Sequence, residues 1–570
     1  MTSLKKPAPL DFNTQYGLAL DDSDDAIIVD LFAGGGGAST GLEIGLGRQV
    51  AIAINHNPAA ISMHTANHPH AKHLQNDVWA VDPLAAVMKR IVGWLHASPD
   101  CTHHSQAAGG QPRKKEIRDL SWVVIKWAGM LRKRGQGPWL VSLENVKQIQ
   151  AWGPLVAKRD AATGRVVRLD GTVAERGERV PRHEQFLIPD PKRKGSTWRR
   201  FLDALRGLGY QVDYWVEKNC DYGDPTTRER LYLVATADGY EPLKPEKTHA
   251  ESPEKGLKPY RTAAECIDWS DLGQSIRNRK KPLAEATNRR IAKGMKKEVL
   301  GRGKPFIVPI ANWSREAVLP SDKPLNTITA WPRGGSFALA SASLVHFRGN
   351  CDSRPVEHPL HVVSAGGQHH GLATAFLAQA NGGYNVTHSR PVDAPISAVT
   401  RTGSQQQLVT ANLVTLRKGS TGSSVDAPMG TQTGAEHHAL VTADLVDAGL
   451  SAEHLDGALW CADFLGRYLE GEDAGADESV SAKLARVTVW IDGTPFIIVD
   501  ICLRMLKPRE LYRAQGFPDC YVIEHGHDGR RFTKTEQVHM CGNSVSPGTM
   551  AAIARRNDPW KARQLSRIAA

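Results

Sequence analysis

The stretch Ala26-Ile-Ile-Val-Asp-Leu-Phe32, followed by Ala33 and four glycines from Gly34 to Gly37, decides the fold class. A short apolar run broken by consecutive glycines reads as a buried strand entering a tight turn. Ala38-Ser-Thr-Gly-Leu-Glu-Ile-Gly45 then continues as a helix, so the unit is strand, glycine turn, helix. Such a turn lets backbone amides approach a ligand at a helix N-terminus. A dinucleotide site would show Gly-x-Gly-x-x-Gly with an acid about 20 residues on. Here the next strand ends in Asn55, which speaks against one. Taken alone, the turn suits a nucleoside, a dinucleotide or no ligand at all.

Working outward, Val50-Ala-Ile-Ala-Ile54 ends at Asn55-His-Asn-Pro58 and precedes a second helical pattern. Ile91 to Ala97 is strand-like and runs into Ser98-Pro-Asp-Cys101, and Trp139-Leu-Val-Ser-Leu143 ends at Glu144-Asn145. Strands alternating with helices over residues 26 to 235 predict a parallel α/β sheet. Ligand groups in such sheets gather at the carboxyl ends of the strands. Asp30, Asn55, Cys101 and Glu144 each close an apolar run, so the pattern itself nominates them.

Beyond residue 240 the texture changes. Pro324-Leu, Pro359-Leu, Pro395-Ile and Pro428-Met recur at steps of 35, 36 and 33 residues. Each opens a Thr/Ser/Val-rich run and a small-residue turn, as tandem β units would; a single irregular β domain with turn prolines is the competing reading. Gly471 to Ser479 reads as an acidic, glycine-containing linker or exposed loop. The apolar pattern resumes from Val487, and Lys507-Pro-Arg-Glu-Leu-Tyr-Arg-Ala-Gln-Gly-Phe-Pro518 predicts a helix opened by proline and stopped by glycine. An Ala-rich helix follows Cys541-Gly-Asn-Ser-Val-Ser-Pro547.

Bulk properties bound the function. The 570 residues support more than two domains, and a net charge of +11 suits a polyanionic partner as well as it suits a basic soluble enzyme. The 8 cysteines are scattered without a Cys-x-x-Cys pair, so neither a zinc site nor a disulfide framework is expected. Residues 1 to 25 read as a poorly ordered polar lead-in without a secretory signal or anchor, and no stretch reaches the roughly 20 apolar residues of a membrane span.

Three constellations carry chemistry. Cys101 precedes Thr102-His-His-Ser105 and a basic stretch with Arg113, Lys114, Lys115 and Arg118. Such company favours thiolate, while the adjacent Asp100 opposes it. A lone cysteine is as often a structural one, and a basic run is as often a solvated face. Glu144 is costly at a strand end unless paired or functional, or else it is an acid at a helix N-terminus. Arg228 and Arg230 share one side of a strand by alternation, either as site residues or as an ion-pair ladder with Glu229.

In order and combination these blocks resemble the DNA (cytosine-5) methyltransferase family. The matching stretches are Asp30 to Gly37, Pro99-Asp-Cys101, Glu144-Asn-Val146, Arg228-Glu-Arg230, Arg509 to Pro518, and Gly542-Asn-Ser-Val-Ser-Pro547. Asp100 stands where the family has a second proline, Thr226 where it has glutamine, and Asn55 where it has an acid for the cofactor ribose.

The resemblance implies a Rossmann-like methyltransferase domain at 26–240, completed by 487–570, with an inserted, mostly β target-recognition region at 241–486. It implies S-adenosylmethionine as cofactor, held by Asp30, Phe32, Gly34, Gly36, Asn55, Asp77, Pro99, Asn543, Ser544 and Val545. It makes Cys101 the nucleophile, with Glu144 near N3 of the base, Arg228 near O2, and Arg230 beside them. Ser105, Arg113, Lys114 and Arg118 are expected on double-stranded DNA. Base-edge contacts are expected among Gln368, His369, His370, Arg401, Gln405 and Gln406. A monomeric cytoplasmic enzyme of a prokaryote or phage, without metal, fits these blocks. An RNA cytosine-5 methyltransferase and a catalytically silent DNA-binding relative are the alternatives. Retention of Cys101, Glu144 and Arg228 together argues against the second.

Overall fold

The structure is a computed structural model that describes residues 26–101, 104, 114–253, 256–277, 279–301, 306–310, 318–327, 336–345, 376–380, 389–391, 405–408, 452–471, 478–491 and 494–569. Its centre is a seven-stranded sheet built from β1 (Ile27–Leu31), β2 (Val50–Ile54), β3 (Lys72–Leu74), β4 (Val92–Ala97), β5 (Leu140–Asn145), β6 (Gln211–Lys218) and β7 (Glu229–Thr236). The spatial order is β3-β2-β1-β4-β5-β7-β6. The first five strands run parallel. β7 runs antiparallel to both β5 and β6.

The wholly parallel sheet expected from alternation is therefore corrected to a mixed one. The physical reason lies in the connection. β6 and β7 are joined by a single short helical turn, Asn219–Tyr222, and a few loop residues. A parallel pair needs a crossover of a dozen or more residues.

Strand alternation sorts the core into two faces. Val29, Leu31, Leu95, Val141 and Leu233 pack with Trp127 of α4 (Trp122–Lys133) and Phe201 of α5 (Ser196–Gly207). Ile28, Trp94, Leu140 and Val234 face the other way, with Leu42 of α1 (Gly37–Leu46) and Met550 of α11 (Pro547–Arg556). The same face carries α12 (Pro559–Ala569), whose Trp560 is buried against it. Two further helices follow β2 and β3, namely α2 (Pro58–Asn67) and α3 (Pro83–Val87), each opened by a proline and capped by Asn57 and Asp82.

A second sheet contains β8 (Gln274–Ser275), β9 (Phe306–Ile310), β10 (Leu319–Pro320), β11 (Ser336–Val345), β15 (Thr488–Ile491) and β16 (Thr494–Met505). Its order is β8-β16-β11-β9-β10, with β15 on β16. Between β11 and β15 in sequence, β12 (Phe376–Ala380), β13 (Ser389–Pro391) and β14 (Gln405–Leu408) form a small sheet of their own. Helices α6 (Glu285–Gly294), α7 (Ala452–Leu469) and α8 (Val480–Arg486) cover the larger sheet through Ile291, Ala458, Cys461, Leu465 and Leu484. The inserted region thus joins helices to its strands. β15 and β16, grouped by sequence with the C-terminal segment, belong to this second sheet, where β16 pairs with β11, Leu503 opposite Ala340, and β15 pairs with β16. Of the four repeat prolines only Pro324 lies among the described residues; the lead-in 1–25 lies outside them.

After β16 the chain returns to the first sheet through α9 (Pro508–Ala514), the helix expected from its opening proline, and α10 (Lys534–Asn543). No helix among the described residues is long and apolar enough to cross a membrane.

Helices α1 and α11 lie unusually close, because a Cβ at Gly41 would stand 2.6 Å from Met550 Cβ. Gly41→Val should therefore cost about 1–3 kcal/mol through overpacking. Denaturant unfolding of the two chains checks this; equal midpoints would contradict the contact.

Candidate active site

Four side chains meet at the carboxyl edge of the central sheet. Cys101 follows β4 through Ser98, Pro99 and Asp100. The Ser98 hydroxyl donates to the Phe32 carbonyl at 3.3 Å, and Asn145 Nδ2 donates to the Pro99 carbonyl at 3.0 Å. The Cys101 turn is thereby tied to the ends of both β1 and β5. Beyond it, the His104 amide donates to the Cys101 carbonyl at 2.9 Å.

Glu144 stands near the end of β5, 6% exposed. Register places it opposite Tyr232 of β7, so Arg230 is its diagonal neighbour on the same face. Arg230 Nε approaches Glu144 Oε1 at 3.2 Å, and Arg228 reaches the same oxygen at 3.8 Å. The alternation expected for the two arginines thus places both on one carboxylate. Arg228 also donates to the Gly542 carbonyl at 2.9 Å, across to α10. Its burial lowers its pKa to about 10, with Arg230 adding to the effect, so it stays charged at neutral pH.

Burial pushes the Cys101 thiol up, Arg230 and Arg228 pull it down, and Glu144 and Asp100 push it up again. Burial wins. Among the described residues the cations acting on the sulfur are Arg230 and Arg228, not the basic stretch after Cys101 that was expected to favour thiolate, and they do not offset desolvation.

The glycine turn begins at Phe32, whose φ of 64° is left-handed. A Cβ at Gly34 would meet nothing nearer than the Phe32 carbonyl at 3.7 Å, so that side of the turn is open. Gly36, at φ 96°, is required for a different reason. A Cβ there would strike the Tyr521 hydroxyl, which donates to the Gly35 carbonyl. Residues 516–546 therefore close over one side of the turn.

Asp30 points away from the open side: it is fully buried and its Oδ2 accepts from the Ser39 hydroxyl at 2.7 Å. Asn55 follows β2 half-buried, its Oδ1 accepting from the Asn57 amide at 2.8 Å. Asp77 is exposed and accepts from the Trp79 amide at 2.9 Å. Pro99, Ser544 and Val545 are buried, whereas Asn543 is exposed and bonds His539.

Sequence reasoning missed the lock that seats the C-terminal block. Asp224 Oδ2 accepts from the Ser546 hydroxyl at 2.6 Å and the Thr549 amide at 3.1 Å. Gln515 Nε2 donates to the Ser544 carbonyl at 2.9 Å. Only the closeness of Asp224 to Arg228 in sequence hinted at it.

Of the expected DNA contacts, Ser105 and Arg113 lie outside the described residues, as do Gln368, His369, His370 and Arg401. Gln405 and Gln406 are on β14. Lys114 is exposed. Arg118 is buried and donates to the Gly153 carbonyl at 3.1 Å, which turns it inward rather than toward solvent.

Comparison with known proteins bears on this geometry. The model of the family described as C-5 cytosine-specific DNA methylase matches residues 27–152 and 190–299. Type II methyltransferase M.NgoFVII of Neisseria gonorrhoeae is 38% identical over 87 residues, 15% of this chain and 23% of that protein. M.NgoBI of the same organism is 40% identical over 58 residues, 9% of this chain and 18% of that protein. The matches thus span about a fifth of these relatives' length. Among solved structures, a DNA modification methyltransferase encoded within an E. coli prophage has 14% identity and a TM-score of 0.36, over 93% of this chain and 97% of that one. A Spodoptera frugiperda DNMT2 mutant has 11% identity and a TM-score of 0.41, over 92% and 97%.

The buried acid beside the glycine turn yields a pH prediction. Burial raises the Asp30 pKa from 3.8 to about 7. The folded state holds this proton more tightly than the unfolded one, so stability falls as pH rises from about 4 through 7. Asp30→Asn keeps an acceptor for Ser39 and removes the titration. Its unfolding free energy relative to the native chain should rise by up to about 4 kcal/mol between pH 4 and pH 8. A difference that stays flat across that range would refute the assignment.

Proposed function

We propose that this chain, whose residues 27–152 and 190–299 match the model of the C-5 cytosine-specific DNA methylase family, methylates C5 of cytosine in DNA with Cys101 as nucleophile. The observation that carries the reading is the meeting of Cys101 with Glu144, Arg228 and Arg230 at one sheet edge.

Cytosine C5 is too weak a nucleophile to be alkylated directly. A bond from Cys101 Sγ to C6 moves the C5–C6 electron pair onto the ring and makes C5 enamine-like. Density then builds at N3 and O2. The Glu144 carboxyl group beside N3 and a guanidinium beside O2 stabilise it. Only the family resemblance separates the two arginines by residue type and spacing, and it puts Arg228 at O2. Each arginine donates to a backbone carbonyl, Arg228 to Gly542 and Arg230 to Glu229, but Arg230 is the nearer to Glu144, at 3.2 Å against 3.8 Å, which supports Arg230 for that task. After C5 has been methylated, loss of its proton returns the electron pair to C5–C6 and expels Cys101.

S-adenosylmethionine, when bound, supplies the electrophilic methyl group. The residues present fit it: the turn from Phe32 to Gly36 is open above Gly34, and Asn55 and Asp77 follow the ends of β2 and β3 with polar groups half-buried or exposed. With Pro99 and residues Asn543, Ser544 and Val545, they would hold it. The target carbon is hidden in a duplex, so the base must be rotated out to reach Cys101. The reading places a monomeric enzyme with DNA in the cytoplasm of a prokaryotic or phage-infected cell.

Labelled S-adenosylmethionine with duplex DNA or RNA tests the reading. DNA should acquire label, and the rate should climb with pH through neutrality as the raised Cys101 thiol ionises. Cys101→Ser should lose at least about 10³-fold, and Glu144→Gln and Arg230→Ala about 10²- to 10⁴-fold. Label on RNA alone, or full activity in Cys101→Ser, would overturn it.

A further inference from the structure

Behind the glycine turn lies a cluster the proposed chemistry does not use. Glu43 sits on α1, His68 ends α2, and His70 lies in the turn before β3. Glu43 Oε2 is 2.9 Å from His68 Nδ1, and Glu43 Oε1 is 2.7 Å from His70 Nε2. One ligand atom from each of the three lies within 4.8 Å of the others. Glu43 and His68 are buried, while the His70 side chain is 22% exposed.

The surroundings orient the cluster. The Thr40 hydroxyl donates to the Gly36 carbonyl at 2.8 Å and lies 3.2 Å from His68 Nε2, so the other nitrogen of that ring, Nδ1, is the one turned to Glu43. The Val50 amide donates to Glu43 Oε1 at 3.0 Å and holds the carboxylate in place. Two ring nitrogens and a carboxylate thus converge at one largely buried point, a donor set that a single cation can share.

We propose that Glu43, His68 and His70 bind a divalent transition ion of the zinc class, with its open position toward solvent at His70. Two imidazoles and a carboxylate are a donor set this class accepts. The Thr40 contact to the other nitrogen of His68 is the outer bond that fixes a ligating ring. Histidines 64 and 73 lie close by but are committed elsewhere, His64 Nδ1 to His73 Nε2 at 2.8 Å and His64 Nε2 to the Ser39 hydroxyl at 2.9 Å. The absence of paired cysteines, which excluded a zinc site from the sequence, does not touch this set. Because Thr40 links His68 to the Gly36 carbonyl, the ion would fasten the turn from which α1 starts, whatever that turn binds.

The full chain, stripped with chelator, is titrated with Zn²⁺ by calorimetry and with Co²⁺ by visible absorption. The proposal predicts one ion of micromolar or tighter affinity, a four-coordinate cobalt spectrum, and a higher melting temperature with the ion. His70→Gln, on the exposed rim, should weaken binding at least about 100-fold and abolish the cobalt bands, as should Glu43→Gln. Absence of binding to the native chain, or one-ion binding unchanged in either variant, would overturn it. If a variant fails to fold, the cobalt spectrum of the native chain decides: octahedral weak bands contradict the site. None of these readouts depends on methyl transfer, so their failure would leave the proposed activity standing.

Discussion

Arg230 can reach Glu144 because β7 runs against β5. An antiparallel neighbour brings its first residues alongside the last residues of β5, whereas a parallel one would deliver them to the far edge of the sheet. A carboxylate buried at that edge needs cations nearby, since breaking such a pair by removing one partner is worth about 3–5 kcal/mol. Two arginines at alternate positions meet the need and remain close enough to act on the Cys101 sulfur. The direction of one strand thus fixes the electrostatics of the candidate site.

The second dependence is on residues remote in sequence. Arg228 is steadied by Gly542, Asp224 by Ser546 and Thr549, and Gly36 faces Tyr521. The central sheet is therefore covered on this side only when the last part of the chain returns to it as helices. Between lie β8 to β16 and their helices, with their own apolar core around Ile291, Cys461 and Ile501. Burial makes the joints stiff: Asp224 is wholly buried and its pKa rises to about 6 through desolvation, so its hydrogen bonds are made in a dry place where they count most.

Much of this was legible from residues alone. β1, β2, β4 and β5 coincide with the apolar runs, because a strand buried on both faces is written as a continuous apolar run. Cys101 and Glu144 were nominated by the rule that strand ends gather function, and they do lie together. Strand direction was not legible, since period-two spacing is the same either way. Nor was the place of β16, whose apolar pattern suits any sheet and whose partner, β11, lies some 150 residues upstream. Arg118 illustrates a different limit: a basic run looks solvated until one member turns inward to Gly153. The histidines at 64, 68, 70 and 73 are spread over a helix, a turn and a strand, and only folding onto α1 gathers them beside Glu43.

The proposed chemistry turns on one sulfur atom. A duplex carrying 5-fluorocytosine at the target position cannot release the enzyme after methylation, because fluorine does not leave as a proton does. With S-adenosylmethionine present, peptide mapping of the trapped complex by mass spectrometry should find the base attached to Cys101. Attachment to any other of the cysteines, or methylation of ordinary DNA at full rate without any trapped species on the fluorinated duplex, would contradict it.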